Sequence, residues 1–228
     1  MSRDCPGHQL LPAKRVIRFF AIRFGGRAQT VGGVSDIADA WAPWQSGWVR
    51  PLRYSINVSL DGCVDHMAGT PDEESHNHAA QTIARADAII LGRTTYELME
   101  FWRTAKDLPP WMRPFEESIN AAKKYLVSST REPDGWNTEA LNGDPVEAVR
   151  KLKEQPGDGL YVGGVTLPCA LADAGLIDEY EFVVYPTLVG HGPRLFEGLG
   201  EPLDLQLVGT TEFASGVRAE RYVPVSSS

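Results

Sequence analysis

A glycine, an arginine and two threonines, Gly92-Arg93-Thr94-Thr95, directly follow a short apolar run at residues 88–91. The run is typical of a strand buried on both faces of a parallel sheet. Thr94 and Glu97 have the spacing of a capping box, which predicts that a helix starts here. The N–H groups at a helix N-terminus attract an anion, and the Arg93 guanidinium adds a full charge. The segment therefore predicts a phosphate site, with an ordinary strand-to-helix turn as the alternative.

Two later apolar runs end in residues of the same kind. Ser128-Ser129-Thr130-Arg131 ends the run at 124–128, and Gly163-Gly164-Val165-Thr166 follows the run at 159–162. In an open α/β sheet, ligands bind at the carboxyl ends of the strands. Two helix N-termini and two arginines would match the charge of a phosphorylated dinucleotide. The glycines form neither the G-x-G-x-x-G fingerprint nor a P-loop, which disfavours a standard Rossmann domain.

The elements that must position these residues follow from hydrophobic period and turn signals. Strands are predicted at 52–59, 88–91, 124–128, 159–162, 178–188, 203–213 and 217–223. Helices are predicted at 71–86, 95–102, 115–122, 145–154 and 166–174, the first with Thr70 as N-cap. This alternation predicts an α/β fold with a mostly parallel central sheet, helices on both faces and a C-terminal antiparallel hairpin.

Composition narrows the class of protein. The chain has 228 residues, 43% of them hydrophobic, and a net charge of −8, which predicts one globular domain without a basic face for nucleic acid. No apolar run approaches the roughly 18 residues of a membrane span. Cys5, Cys63 and Cys169 are scattered and form no C-x-x-C pair, so we expect neither a disulfide scaffold nor a metal site. A reducing, cytoplasmic compartment is the expected location.

The N-terminal segment differs from the rest of the chain. Residues 1–50 carry seven Lys or Arg against three acidic residues, and three of the six tryptophans. They show no sustained helix or strand period. We predict that residues 1–48 are a disordered or mispredicted extension, that the domain spans 49–225 and that 226–228 form a tail. A mitochondrial-type presequence is the alternative, since arginine is frequent and acids are scarce between Lys14 and Arg27.

Six segments in order over residues 52–224 resemble the dihydrofolate reductase-like superfamily, in the branch that contains the reductase domain of riboflavin biosynthesis. The segments are 59–62 (Ser-Leu-Asp-Gly), 91–97 (Leu-Gly-Arg-Thr-Thr-Tyr-Glu), 124–129 (Lys-Tyr-Leu-Val-Ser-Ser), 162–164 (Val-Gly-Gly), 175–179 (Gly-Leu-Ile-Asp-Glu) and 186–196 (Pro-Thr-Leu-Val-Gly-His-Gly-Pro-Arg-Leu-Phe). The resemblance implies a three-layer α/β fold and NADPH as the hydride donor.

The resemblance also implies a set of cofactor-binding residues. They are Asn57, Val58, Val64, Gly92, Arg93, Thr94, Thr95, Ser128, Ser129, Arg131, Val162, Gly163, Gly164, Val165 and Thr166. Residues 92–95 would hold the diphosphate and 2′-phosphate region, and residues 128–131 would flank the adenosine end. The glycine pair at 163–164 would let the backbone approach the diphosphate. Asn57 and Val58 would lie beside the nicotinamide, under the loop that carries Val64.

The resemblance implies fewer residues for the substrate site than for the cofactor site. Reductases of the dihydrofolate type carry a carboxylate on the first helix that binds the pterin and assists its protonation, and the matching position falls at 74–76. Glu74 is one candidate acid, with a helix-terminal acid stabilised by the dipole as the alternative. His76 is the second, because its unperturbed pKa permits proton donation near neutral pH, and water is the third. Asp61 is placed near the substrate, with a local Asx turn as the alternative.

The leading hypothesis is an NADPH-dependent reductase of a small heterocyclic (pterin- or pyrimidine-like) or carbonyl/imine substrate. A non-catalytic nucleotide- or flavin-binding protein on the same fold is the alternative, since fold does not guarantee activity. Residues 63–66 lack the basic and hydroxyl groups with which the riboflavin reductases hold a ribose phosphate, so the riboflavin precursor is not the expected substrate. Members of this branch often form homodimers, to which the strand at 179–188 would contribute here.

Overall fold

The computed structural model of the protein describes residues 50–225. The predicted extension at 1–48 and the tail at 226–228 lie outside the described residues. The elements, in chain order, are β1 (Leu52–Ser59), α1 (Glu73–Ala84), β2 (Ala88–Gly92), α2 (Arg93–Met99), α3 (Phe101–Thr104), α4 (Arg113–Ala121), β3 (Lys123–Val127), β4 (Thr138–Ala140), α5 (Pro145–Lys153), β5 (Leu160–Gly163), α6 (Thr166–Asp173), β6 (Glu179–Tyr185), β7 (Leu205–Glu212) and β8 (Arg218–Pro224). A single 3₁₀ turn, Pro110–Met112, precedes α4.

The strands form one sheet in the order β4-β3-β2-β5-β1-β6-β8-β7. Every pair from β4 to β6 is parallel, whereas β8 runs antiparallel to both of its neighbours. One apolar cluster packs α5 and α6 on one face of the sheet, and a second packs α1, α2 and α4 on the other. The predicted fold, a mostly parallel sheet between helices with a C-terminal antiparallel hairpin, is confirmed.

The apolar pattern explains which strands lie in the middle. Ala88, Ile89, Ile90 and Leu91 of β2 are all at most 2% exposed, as expected for a strand covered by helices on both faces. In β1 the alternation is explicit, because Leu52 and Tyr54 point into the α5–α6 side. The carboxyl ends of β1, β2, β3 and β5 consequently meet along one edge of the sheet.

The helix starts were predicted with mixed success. Asp144 caps α5 by accepting the Glu147 N–H at 3.0 Å, and Pro145 is the first helical residue, as predicted. The first helix begins two residues later than predicted, because Asp72 and Ser75 form the capping box in place of Thr70.

The start of α2 also differs from the prediction. Gly92 is the N-cap in extended conformation, and the helix has no side-chain cap. Thr94 therefore lies inside the first turn, where its hydroxyl does not occupy a cap position, and the predicted Thr94–Glu97 capping box is wrong.

The two edges of the described sheet belong to β4 and β7. Strand β6 is shorter than predicted and lies between β1 and β8, so its backbone offers no free edge to a second copy of the chain. No helix in the described part of the chain is long and apolar enough to cross a membrane.

Candidate functional site

An open cleft of about 680 Å³ lies at the carboxyl ends of β2 and β3. Its lining includes Arg93 from the start of α2, the residues 128–130 that follow β3, and Asn142 and Gly143 before α5. Two of the three polar strand ends identified in the sequence therefore contribute to one concave surface. The lining is rich in hydroxyl groups and carries one cation, which suits an anionic ligand.

Arg93 is the cation of this cleft. Its side chain is exposed, and within residues 50–225 it makes neither a hydrogen bond nor an ion pair. An arginine without an acidic partner keeps its planar fork available for a phosphate or carboxylate. Thr94, beside it on the first turn of α2, is likewise exposed.

The third strand end touches the first. Gly164 has a φ of +100°, and a Cβ added to it would lie 2.3 Å from the Thr95 hydroxyl oxygen. The Gly164 carbonyl accepts a hydrogen bond from the Tyr54 hydroxyl at 3.1 Å. Residue 164 must therefore be glycine for β5 and the start of α2 to approach this closely. The next helix, α6, begins at Thr166 after Val165 and has no side-chain cap, so its first N–H groups lack a side-chain acceptor.

The Arg131 charge is already used within the protein. Its Nη2 lies 2.8 Å from the Glu100 carboxylate and 3.2 Å from that of Asp134. The Ser128 hydroxyl accepts the N–H groups of Thr130 at 3.1 Å and Arg131 at 2.8 Å, which closes a tight turn after β3. The predicted pairing of Arg131 with a phosphate would have to compete with two carboxylates.

The predicted nicotinamide contacts separate into buried and exposed residues. Val58, Val64 and Val162 are at most 7% exposed, so their side chains pack inside the protein and leave only main chain for a ligand. Asn57 is exposed although β1 is a central strand. A polar side chain that reaches solvent from the middle of a sheet marks a place where no helix covers the strand.

Asp61 closes a loop. One of its carboxylate oxygens accepts the Ser59 hydroxyl at 2.6 Å and the Val189 N–H at 3.1 Å, and the other accepts the Gly190 N–H at 2.7 Å. These hydrogen bonds, above all the one from Ser59, hold the pKa of Asp61 well below its usual range. Arg194 also donates to the Asp61 carbonyl. Neither predicted role, substrate contact or local Asx turn, accounts for these long-range bonds.

Glu74 is directed towards the C-terminal hairpin. Its carboxylate accepts the N–H of Ala214, in the β7–β8 turn, at 2.7 Å. It also lies in the first turn of α1, where an acid is stabilised by the helix dipole. These contacts match the structural alternative given above.

His76 lies among aromatic rings. Its ring centroid is 4.9 Å from that of Trp111, 5.5 Å from Phe115 and 5.8 Å from Trp102. Its Nδ1 is buried without a hydrogen-bond partner in the described structure. Burial lowers the pKa of His76, against an opposing effect of Asp72, so the imidazole is neutral at pH 7. The premise of an unperturbed pKa is therefore wrong.

Sequence reasoning missed a buried polar network beside α1. Glu181, 4% exposed on β6, accepts the Ser55 hydroxyl at 2.9 Å and lies 2.9 Å from Nε2 of His78. Burial alone would raise the pKa of Glu181, but the hydrogen bond and charge of His78 hold it below its usual value. The signal was present: Glu181 stands between Tyr180 and Phe182 in a strand whose residues after its first, Glu179, are otherwise apolar or aromatic.

Comparisons with known proteins agree with this architecture. YyaP, an uncharacterized protein of Bacillus subtilis (strain 168), is 26% identical over 172 residues, which cover 74% of this chain and 92% of YyaP. A Shewanella sp. PV-4 protein provisionally assigned to riboflavin biosynthesis has a similar structure, with a TM-score of 0.61, 20% identity and coverage of 77% of this chain and 99% of its own.

A second structural neighbour is the Thermotoga maritima diaminohydroxyphosphoribosylaminopyrimidine deaminase/5-amino-6-(5-phosphoribosylamino)uracil reductase. Its TM-score is 0.56 at 17% identity, with coverage of 78% of this chain and 57% of that protein. At these identities the two structures show the shared fold. The family model of the RibD C-terminal domain matches residues 50–219, which include the strand ends that form the cleft. The chain belongs to the RibD C-terminal domain family.

Proposed function

We propose that this protein is an NADPH-dependent reductase of a small heterocyclic (pterin- or pyrimidine-like) or carbonyl/imine substrate. The observation that carries the proposal is the cleft at the ends of β2 and β3, where Arg93, which has no ion-pair partner in the described part of the chain, and the hydroxyls of residues 128–130 line one surface. Family membership supports it, because a structural neighbour is described as a uracil reductase.

The residues present fit a phosphorylated dinucleotide. Arg93 and the neighbouring hydroxyl groups suit the extra phosphate that distinguishes NADPH from NADH. The glycine pair at 163–164 presents backbone without side chains beside Thr95, and the uncapped start of α6 follows directly. When bound, NADPH supplies the hydride for the reduction.

The protein's own contribution is to bind, orient and shield. Arg93 fixes the phosphate end, while the exposed Asn57 at the end of β1 offers a polar contact to the reacting rings. Glu74 is bonded to Ala214, and His76 is neutral at pH 7, so neither is a free acid in this structure. We therefore assign the proton of the reduction to water, the third source considered above.

The test has two stages. The purified protein is first titrated with NADPH, NADH and FMN by calorimetry, and we expect NADPH to bind at least about tenfold more tightly than NADH. The NADPH complex is then mixed with dihydrofolate, pyrimidines and cyclic imines, and loss of reduced nicotinamide absorbance is followed. Tight binding without consumption would favour a nucleotide-binding protein, and a yellow FMN complex would favour a flavoprotein. Binding of no nucleotide would overturn the proposal.

We also propose a homodimer, joined through β7. This eight-residue edge strand carries neither lysine nor proline and exposes Leu207 and Val208. Natural sheets usually protect such an edge with charge or proline. Light scattering should report a dimer, and Val208→Lys should convert it to a monomer. A monomeric wild-type protein would contradict the proposal.

A further inference from the structure

We propose that Arg131 is a positioning residue that sets the width of the phosphate cleft by tying the loop after β3 to helix α2. The inference rests on the proposed function of the cleft. It assigns phosphate binding to Arg93 and a purely internal task to Arg131, although both arginines follow the ends of adjacent parallel strands.

The first tie runs from the loop to the end of α2. The Arg131 Nη2 donates to Glu100 at 2.8 Å, and Glu100 is the C-cap of α2. The same nitrogen donates to Asp134, further along the loop, at 3.2 Å. One guanidinium nitrogen thereby joins two carboxylates, one on the helix and one on the loop.

The second tie uses the same loop carboxylate. Asp134 accepts the Tyr96 hydroxyl at 3.2 Å and the Arg103 guanidinium at 3.0 Å. Tyr96, on α2, is fully buried, and the Arg131 guanidinium lies 5.9 Å from the centroid of its ring. The loop is therefore anchored both to a buried residue of α2 and to a residue of α3.

These ties reach the cleft through the main chain. The Arg131 N–H donates to the Ser128 hydroxyl at 2.8 Å, so the position of Arg131 fixes the turn formed by residues 128–130. Those residues form one side of the cleft, and Arg93, at the first position of α2, contributes to its lining from the helix. Joining the loop to α2 consequently fixes the distance between the two sides.

The local charges explain why Arg131 is a poor ligand for phosphate. Two carboxylates, Glu100 and Asp134, and two guanidinium groups, Arg131 and Arg103, compensate one another within the cluster. A phosphate at Arg131 would have to displace a carboxylate that is already in place. Both hydrogen bonds leave from Nη2, at the far end of a planar guanidinium that lies 5.9 Å from the Tyr96 ring centroid, and a lysine ammonium has neither that reach nor that flat face.

Arg131→Lys separates the two roles, because lysine keeps the positive charge and loses the planar guanidinium whose Nη2 reaches both carboxylates. For a positioning residue we expect Arg131→Lys to weaken NADPH binding roughly fivefold, the order for a partly exposed ion-pair network, and to weaken NADH binding less, since NADH lacks the phosphate that Arg93 would hold. Amide hydrogen exchange of residues 128–137 should become faster. Arg218→Lys, which alters a surface arginine paired with Glu220 on β8, is the matched control and should change neither readout.

Three outcomes would overturn the inference. Unchanged exchange of the loop in Arg131→Lys would show that no clamp exists. Faster exchange with unaltered nucleotide affinity would show that the clamp does not serve the cleft. If Arg131→Met abolishes the preference for NADPH over NADH while Arg131→Lys retains it, Arg131 binds phosphate directly. A wild-type protein that binds neither nucleotide would instead refute the proposed function, and loop exchange would still report whether Arg131 holds the loop.

Discussion

The carboxyl ends of β1 and β6 and those of β2 and β3 lie on the same edge of one sheet, and both carry polar and charged residues. At the first pair, both oxygens of Asp61 accept hydrogen bonds, two of them from the backbone of residues 189–190. At the second pair, Arg93 has no partner in the described structure. The charged group of the first region, Asp61, closes a loop, whereas that of the second, Arg93, remains available to a ligand.

This difference teaches how to assign polar residues at strand ends. The sequence predicts Arg93 and Arg131 at the cofactor, and the resemblance places Asp61 near the substrate, but their partners in the structure separate the three residues. A charged group with satisfied hydrogen bonds is usually structural, because a ligand would have to compete with bonds that already exist. The predictions that follow test this distinction.

The largest effect should come from the unpaired arginine. Arg93→Ala should weaken NADPH binding by about 10- to 100-fold, because a hydrogen-bonded ion pair with phosphate contributes roughly 1.5–3 kcal/mol. NADH binding and the thermal midpoint of the free protein should barely change, since the Arg93 side chain has no hydrogen-bond or ion-pair partner among residues 50–225. Calorimetry measures the affinities for the two nucleotides, and thermal denaturation measures the midpoint. Equal losses of affinity for NADPH and NADH would contradict the assignment of the 2′-phosphate to the Arg93 side chain.

Gly164→Ala should act through the contact between two strand ends. The positive φ alone costs an alanine about 1–2 kcal/mol, and its Cβ would also displace the Thr95 hydroxyl. Chemical denaturation should show this loss, together with weaker NADPH binding. Gly163→Ala is the control, because its Cβ would meet Leu91 at an ordinary 3.4 Å. Equal stability of the two variants would contradict the close approach of β5 to α2.

Asp61→Asn should lower the thermal midpoint by a few degrees and leave NADPH binding unchanged. Asparagine keeps one oxygen acceptor but turns an amide donor towards the Gly190 N–H. Since the folded protein holds the pKa of Asp61 below its unfolded value near 3.8, this stabilisation is present at neutral pH and is lost in acid. The difference between variant and wild type should therefore shrink below about pH 4. Loss of NADPH affinity in this variant would contradict a purely structural role for Asp61 and indicate that it contributes to ligand binding.

The smallest effect concerns His76. Burial lowers its pKa in the folded state, so below the unfolded value of 6.5 the unfolded chain binds more protons. Stability that is present above that pH is lost as the pH falls, and His76→Phe should remove this loss. The variant should therefore be more stable than wild type near about pH 5.5, and the difference should narrow towards neutrality. If the stabilities of the variant and the wild type change with pH in parallel, His76 is not desolvated. The control is His66→Gln, at an exposed histidine.

The sequence predicted the buried parts of the fold well. The strands β1, β2, β3 and β5 lie within about a residue of their expected bounds, because apolar runs record burial. Strand β4 was missed, since three partly exposed residues on a sheet edge carry no such pattern. The helix predicted at 95–102 is divided in the structure into α2 and α3, and the 3₁₀ turn Pro110–Met112 was not predicted.

The candidate site could be predicted in position but not in detail. Polar residues at strand ends indicated the edge of the sheet where the structure has its open cleft, because parallel strands bring their carboxyl ends together. The sequence could not show which residues form hydrogen bonds or ion pairs with these side chains. Asp61 bonds to Gly190, Glu74 to Ala214 and His78 to Glu181. Each pair joins residues more than a hundred positions apart, and no local pattern records such a contact.

The central place of β1 has a consequence for how the chain folds. Its neighbours are β5 and β6, whose first paired residues are Leu160 and Glu179. During synthesis β1 therefore leaves the ribosome long before either partner exists, and pairings of such long sequence separation form slowly. Until then the apolar side chains of β1, Leu52 and Tyr54 among them, have no completed core to pack against. Since β5 separates β2 from β1, a nascent chain that stops before Leu160 leaves β1 without either neighbour, whereas β2 and β3, whose ends carry the cleft, can already pair with each other.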